Sequence, residues 1–195
     1  MDEPPHPLVW WQPHTRRWGG RVTGLLVVAV ATAASAAMII LSLRRFGPES
    51  PAFSFVIVWL PMTWLGTFSH FVGMQLPKSY HTLRPFEMDG QIYQYLGVRL
   101  VKRLLRRGPF ALFNPGLHLP VERTPEQLNM LEQRMRTAET THALLLVLTL
   151  GVVANAAARG WWVAAASTLV FNLVINGYPV MLQRYNRALL HKRFA

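Results

Sequence analysis

Four stretches of this chain carry no Asp, Glu, Lys or Arg, and nothing else in the sequence restricts its fold as strongly. They are residues 22–43, 50–77, 140–158 and 160–183. A helix crosses the hydrocarbon core of a bilayer in about 20 predominantly apolar residues, so each stretch allows one crossing and none allows two. Inside lipid every backbone N–H and C=O must find its partner within the segment, which predicts helices. Pro51 favours the start of the second span and residues 73–77 its end, placing it near residues 53–72. The first span also has features of a cleaved secretory leader, with Arg16-Arg17 ahead of an apolar run and small residues at 31–37. That run continues to Leu43, beyond a leader's usual apolar core, so the expectation is a retained helix.

Composition agrees. The chain is 51% hydrophobic and 15% charged, where soluble domains carry about 25% charged residues. The absence of cysteine excludes a disulfide framework, a thiolate metal site and a cysteine nucleophile. The net charge of +11 is distributed by topology rather than over a nucleic-acid-binding face. All of the 20 Lys and Arg except Arg44, Arg45 and Arg159 fall in residues 1–21, 73–139 or 184–195. The positive-inside rule then places these three segments in the cytoplasm. The expected fold is an all-α integral membrane protein with four transmembrane helices. Spans one and two occupy residues 22–72, and spans three and four residues 140–183. A cytoplasmic amphipathic helical insert lies between, at 73–139, and both tails are cytoplasmic.

Within the insert, residues 91–107 read as one amphipathic helix. Leu100, Val101, Leu104 and Leu105 lie on one side, with Arg99, Lys102, Arg103 and Arg106 on the other, a pattern suited to an anionic membrane surface. Gly108-Pro109 ends it, and residues 110–120 read as a loop dipping into the interface around the Asn114-Pro115-Gly116 turn. Thr124, Pro125 and Gln127 then form a helix start with a capping box. No breaker follows until Gly151, so that helix should continue into span three.

Glu139 and His142 are three residues apart on this helix and share a face. A carboxylate beside an imidazole would orient it as a general base, although an interfacial polar pair is an equally good reading. In span four, Asn172, Asn176 and Gln183 keep to one face, and Arg187 continues the line. Polar side chains at such depth usually face the bundle interior or a cavity. Thr63, Thr67 and His70 in span two form a similar row, for which helix–helix hydrogen bonding is the expected role. No H-E-x-x-H, glycine-rich phosphate loop or G-x-S-x-G is present, and the seven histidines are too scattered to predict a metal site.

The segment Tyr178-Pro179-Val180-Met181-Leu182-Gln183-Arg184-Tyr185-Asn186-Arg187, preceded by Asn176, resembles the N-x-P…Q-R-Y-N-R signature of the bacterial glycosyl-4,4'-diaponeurosporenoate acyltransferase family. Leu76-Pro77-Lys78-Ser79-Tyr80, then Phe86-Glu87 with Gly90, Tyr93 and Lys102, then Ala138-Glu139-Thr140-Thr141-His142, resemble further family segments in order. The likeness runs roughly from Leu60 to Leu190. It departs from the family pattern at Val101, Thr137, Ala143 and Pro179.

The resemblance implies a multi-pass enzyme of the bacterial cytoplasmic membrane. Its reaction would move a fatty acyl group from a thioester donor to a hydroxyl of a glycosylated carotenoid or glycolipid. His142, oriented by Glu139, would be catalytic. Substrate would be bound by Asn176, Gln183, Arg184, Tyr185, Asn186, Arg187, Glu87 and Lys102, with the arginines or Asn186 at an oxyanion or donor phosphates. No cofactor or metal is expected beyond acyl-CoA or an acyl-carrier thioester as co-substrate. The partners would be the lipid bilayer and a lipophilic glycosylated acceptor, not nucleic acid. A small membrane methyltransferase and a non-catalytic assembly or lipid-binding subunit are the competing readings.

Overall fold

The computed structural model describes residues 18–106 and 124–194, and these contain helices and turns with no strand. The first long helix, α1 (Trp18–Phe46), turns at Gly47 into α2 (Pro51–Val72). Short elements follow: α3 (Lys78–His81), a 3₁₀ turn (Pro85–Glu87), α4 (Gln91–Tyr95) and α5 (Val98–Arg106). The long helix α6 (Pro125–Ala158) is joined through Gly160 to α7 (Trp162–Asn172), which continues through a π turn (Leu173–Gly177) into α8 (Tyr178–Phe194). The expected interfacial loop at 110–120 lies outside the described residues, as do residues 1–17 and the side chain of His70.

Local chemistry fixes the helix ends. Ser50 Oγ accepts from Phe53 N–H at 3.1 Å, and Pro51 occupies the first turn, where its missing N–H costs nothing. Gly73, at φ 66°, closes α2 in the left-handed conformation and donates its N–H to Ser69 O at 2.8 Å. Thr124 Oγ1 caps α6 by accepting from Gln127 N–H at 3.3 Å, ahead of Pro125. The helix starting there runs without interruption to Ala158, 34 residues in all, as the sequence predicts. At about 1.5 Å per residue it is roughly 50 Å long, more than the about 30 Å of a hydrocarbon core.

Among the described residues, four helices are long and apolar enough to cross a membrane: Val22–Phe46, Pro51–Ser69, Pro125–Ala158 and Trp162–Phe194. Leu25, Val147 and Val163 are 72%, 67% and 62% exposed on their outer faces. So much outward apolar surface is unfavourable against water and natural against lipid. The interior holds small and polar groups beside buried apolar side chains such as Val58, Leu60 and Leu145. Ala156, Ala164 and Ala165 let α6 and α7 approach closely, and buried Ser54 donates to Ala164 O at 3.3 Å. α2 packs against α1, α6 and α7, and α6 also packs against α8. The tight turns at Gly47 and Gly160 therefore share one end of the bundle. The short helices α3–α5, the start of α6 and the end of α8 share the other.

Two expectations are corrected. The helix expected over residues 91–107 is two helices, because Gly97 takes φ 77° and breaks the ladder between α4 and α5. Val98 is consequently buried and Lys102 turns inward to α8, whereas Leu100 and Leu104 are exposed. The threonine row of α2 does not bond across helices. Thr63 Oγ1 donates to Leu60 O and Thr67 Oγ1 to Thr63 O, satisfying both hydroxyls within their own helix.

Gly90 shows how tightly the short helices sit on α8. It adopts φ +72°, and a Cβ there would lie 3.1 Å from two Tyr185 ring atoms. Gly90→Ala should therefore destabilise the fold by about 1–3 kcal/mol, from backbone strain plus overpacking. Gly47→Ala, at similar φ but with open space around it, should lose only the backbone part. Thermal unfolding of the two variants in detergent checks the order.

Candidate active site

At the end of the bundle reached by α3–α5, two arginines of α8 meet three carboxylates. Glu139 of α6 is 0% exposed. Its Oε1 accepts from Arg184 Nη1 at 2.8 Å and its Oε2 from Arg187 Nη1 at 2.6 Å. Arg184 grips Glu87 in a two-pronged pair, with Nε and Nη2 each donating at 2.7 Å. Its Nη1 also donates to Tyr80 O at 3.0 Å. Arg187, 1% exposed, donates to the backbone carbonyl of His81, and its Nε lies 3.7 Å from Glu132 Oε1. Glu87 further accepts from the Tyr93 hydroxyl and, at 2.6 Å, from the Arg84 N–H. Guanidinium forks suit this because each offers several donors in fixed geometry to paired carboxylate oxygens.

Burial raises the Glu87 carboxyl, but the hydrogen bonds from Arg184, Tyr93 and the Arg84 backbone outweigh it and hold the group at about 2. Burial and the hydrogen bond to Glu87 push the Tyr93 phenol upward. His81 is buried against Glu139, with Nδ1 3.3 Å from Oε2 but outside hydrogen-bond geometry, while Nε2 is 3.2 Å from Thr140 Oγ1. Burial, assisted by Arg187, lowers its pKa despite the opposing influence of Glu139.

His142 belongs to a separate arrangement. Its Nδ1 lies 3.2 Å from Asn176 Oδ1, Asn176 Nδ2 donates to Asn172 Oδ1 at 2.8 Å, and Asn172 Nδ2 donates to Leu146 O at 2.9 Å. The last acceptor is a backbone carbonyl, which has no proton to give. Each amide is thereby fixed in orientation, and Asn176 must accept the proton on His142 Nδ1. Nε2 is left with the lone pair. Glu139, expected to orient His142, makes no hydrogen bond to it. The carboxylate is drawn to the arginines of α8, and the buried asparagine pair orients the ring instead.

The π turn explains why sequence spacing misplaces Gln183. An extra residue in the turn rotates the helix beyond it, so the face begun by Asn172 and Asn176 is continued by Arg184 and Arg187. Gln183 is half-buried and makes no side-chain hydrogen bond among the described residues. Tyr185 is 5% exposed in a core cluster with Tyr93, Val98 and Leu182. Asn186 Oδ1 accepts from Lys102 Nζ at 2.6 Å. The expected substrate-binding residues Glu87, Lys102, Arg184, Asn186 and Arg187 are therefore brought together, each with protein partners. Sequence reasoning misses His81, Glu132 and Asn172's backbone partner. Only His81, beside the Leu76–Tyr80 motif, has a signal to offer.

A cleft of about 820 Å³ opens between α2 and α6. Met62, Gly66, Ser69 and Gly73 form one wall, and Thr137, Thr141 and His142 lie on the other. Gln75, Gln133 and Arg134 stand at one end, where Gln75 Nε2 donates to Gln133 Oε1 at 2.6 Å. The volume falls within the about 300–1,000 Å³ of small-molecule sites. No cluster of three or more metal-ligating side chains occurs among the described residues.

Residues 77–194 match the model of the glycosyl-4,4'-diaponeurosporenoate acyltransferase family. The chain belongs to that family. The match begins at Pro77, leaving all of α1 and α2 outside it, whereas the sequence resemblance is expected to start near Leu60. No curated protein and no solved structure matches the chain. The match contains both the ion cluster and the His142 relay, and it contributes the α6 wall of the cleft.

Two outcomes are expected from the cluster. Glu139→Gln leaves two buried guanidinium groups short of a counter-charge, a loss of about 3–5 kcal/mol for a buried pair, seen as a lower thermal midpoint in detergent. Acid should destabilise in two stages. Below 6.5 the unfolded chain protonates His81 while the folded site resists. Between 4.5 and about 2 the unfolded chain protonates Glu87 before the folded one does. Both groups have depressed folded values, so stability falls as pH falls. In Glu87→Gln the lower limb of a pH–stability curve should become shallower.

Proposed function

We propose that this protein is a membrane acyltransferase, moving a fatty acyl group from an acyl-CoA or acyl-carrier thioester to a sugar hydroxyl of a glycosylated carotenoid or related glycolipid. Family membership supports the reaction class. The single observation that supports the mechanism is His142, on the cleft wall with its Nδ1 proton held by Asn176. An imidazole fixed in that tautomer is a general base in waiting. The acceptor hydroxyl attacks the acyl carbonyl carbon as its proton passes to His142 Nε2. The carbon–sulfur bond then breaks, the proton goes on to sulfur, and an ester and a free thiol leave. Direct transfer suits a chain without cysteine.

Glu139, Arg184, Arg187 and Glu87 act in this scheme as positioning residues that hold α8 against α6 and the short helices. The protein lies in the bacterial cytoplasmic membrane, with the ion cluster and both tails on the cytoplasmic side. That orientation rests on the concentration of Lys and Arg at this end. Soluble thioester donors are made and held in the cytoplasm, so the cleft end carrying Arg134 faces their supply.

His142→Ala should lower product formation by about 10²- to 10⁴-fold, the usual worth of a general base, without loss of membrane insertion. Asn176→Ala should lower kcat while leaving KM for the acceptor near its wild-type value, since it acts only through His142. Mass spectrometry of lipid extracts from membranes given donor and glycosylated acceptor reads both. Wild-type turnover in His142→Ala would overturn the mechanism.

A further inference from the structure

Glycine inside a helix costs about 1 kcal/mol relative to alanine, and the usual compensation is close approach by a neighbour or a positive φ. Gly24 has the first, since its Cβ position lies 3.1 Å from the Phe71 ring. Gly73 has the second. Gly66 has neither: its backbone is helical and, among the described residues, nothing lies within 4 Å of where a Cβ would sit. Gly151 shares that emptiness, but on an exposed outer face. Gly66 instead lines the cleft, on the wall opposite His142.

The other end of the cleft carries Arg134, exposed and without an ion pair or hydrogen bond among the described residues. Arg136, Arg184 and Arg187, by contrast, are each held by a carboxylate. Arg134 and His142 are two turns apart on the same face of α6, about 12 Å along the axis at 1.5 Å per residue. α2 runs antiparallel to α6 here, since Gln75 beyond its end meets Gln133 near the start of α6. The cleft therefore runs from a cationic mouth to a base faced by an unfilled glycine.

We infer that this cleft is the acyl-donor site, with Arg134 binding the phosphate of a 4'-phosphopantetheine arm and Gly66 leaving room for the start of the acyl chain beside His142. This rests on the transferase reading and names the donor end of it. Coenzyme A and acyl carrier protein share the phosphopantetheine phosphate, so Arg134 would recognise either. The arm between that phosphate and its sulfur is long enough to follow the cleft from Arg134 to His142. Leucine at 66 would occupy the acyl position, whereas alanine would fill little of it and improve helix propensity.

The test is equilibrium binding to the full chain in phosphatidylcholine nanodiscs, which present no anionic lipid to compete. The probes are coenzyme A, a thioether analogue of hexadecanoyl-CoA that cannot transfer its chain, and acyl carrier protein bearing the same thioether. In the wild type the thioether should bind at least tenfold tighter than coenzyme A. Gly66→Leu should abolish that gain while coenzyme A binds as before, and Gly66→Ala should retain most of it. Arg134→Ala should weaken coenzyme A and its thioether by the same factor, about tenfold or more, as expected for a lost charge-assisted hydrogen bond. The carrier-protein arm identifies the source: tighter binding of that probe assigns the carrier, and tighter binding of the free thioether assigns coenzyme A.

An acyl gain unchanged in Gly66→Leu, or binding indifferent to Arg134→Ala, would overturn the assignment. Product formation persisting alongside either result would leave the transferase reading intact and remove only the donor site. The expected binding pattern without any product would keep the site and remove the reaction.

Discussion

A carboxylate with no exposure to solvent, placed between two arginines, is the interaction on which this architecture turns. An isolated charge at the position of Glu139 would be strongly unfavourable, because burial removes hydration that nothing else replaces. Arg184 and Arg187 replace it at 2.8 and 2.6 Å, and in doing so they fix the rotation and height of α8 against α6. Arg184 then extends the constraint through Glu87 to the 3₁₀ turn and through the Tyr80 carbonyl to α3. Arg187 does the same through the His81 carbonyl. Four separate pieces of chain are held by two side chains. Lipid cannot drive helices together as water does, so polar contacts of this kind carry unusual weight in locating the short helices.

The same constraint reaches His142, the proposed base, indirectly. Asn172 and Asn176 lie one turn apart, on α7 and within the π turn that joins it to α8, and both are fully buried. For Asn176 to meet His142 while Arg184 and Arg187 meet Glu139, the helix must change phase between them. The π turn supplies that change within a single continuous span. Such turns are costly in hydrogen-bond geometry and recur where a function requires the rotation. Here the rotation gives Glu139 and His142, neighbours on α6, different partners along α7 and α8.

Much of the fold was legible because its signals are local. Uncharged runs located the long helices, Pro51 and Gly73 marked the ends of α2, and Thr124-Pro125 marked the start of α6. Each is a property of a few adjacent residues. The candidate site was legible only in part. Glu139, Glu87, Arg184 and Arg187 gather in the ion cluster while His142 and Asn176 form a separate relay, and these pairings depend on contacts far apart in sequence, such as Glu139 with Arg184, and on a π turn that side-chain periodicity does not reveal. Proximity on one helix suggested that Glu139 serves His142; the stronger field of two guanidinium groups decides otherwise. Gly97 illustrates the same limit at smaller scale. A glycine within an amphipathic pattern is tolerated often enough that the pattern hid a break, and with it the inward turn of Lys102.

The separation of the ion cluster from the cleft has a chemical consequence. A base directly bonded to a carboxylate becomes more basic and, near neutral pH, spends more time protonated and inactive. A neutral amide fixes the imidazole's tautomer and orientation without adding charge beside it. In the acyl transfer proposed above, an extra buried anion beside the imidazole would be costly to maintain and would repel the negative charge developing on the acyl oxygen. The chain keeps its carboxylates one turn away, neutralised by arginine, and presents to the cleft an imidazole supported only by amides and a backbone carbonyl. Strong charge is used where rigidity is needed, and hydrogen bonding without charge beside the imidazole proposed to move a proton.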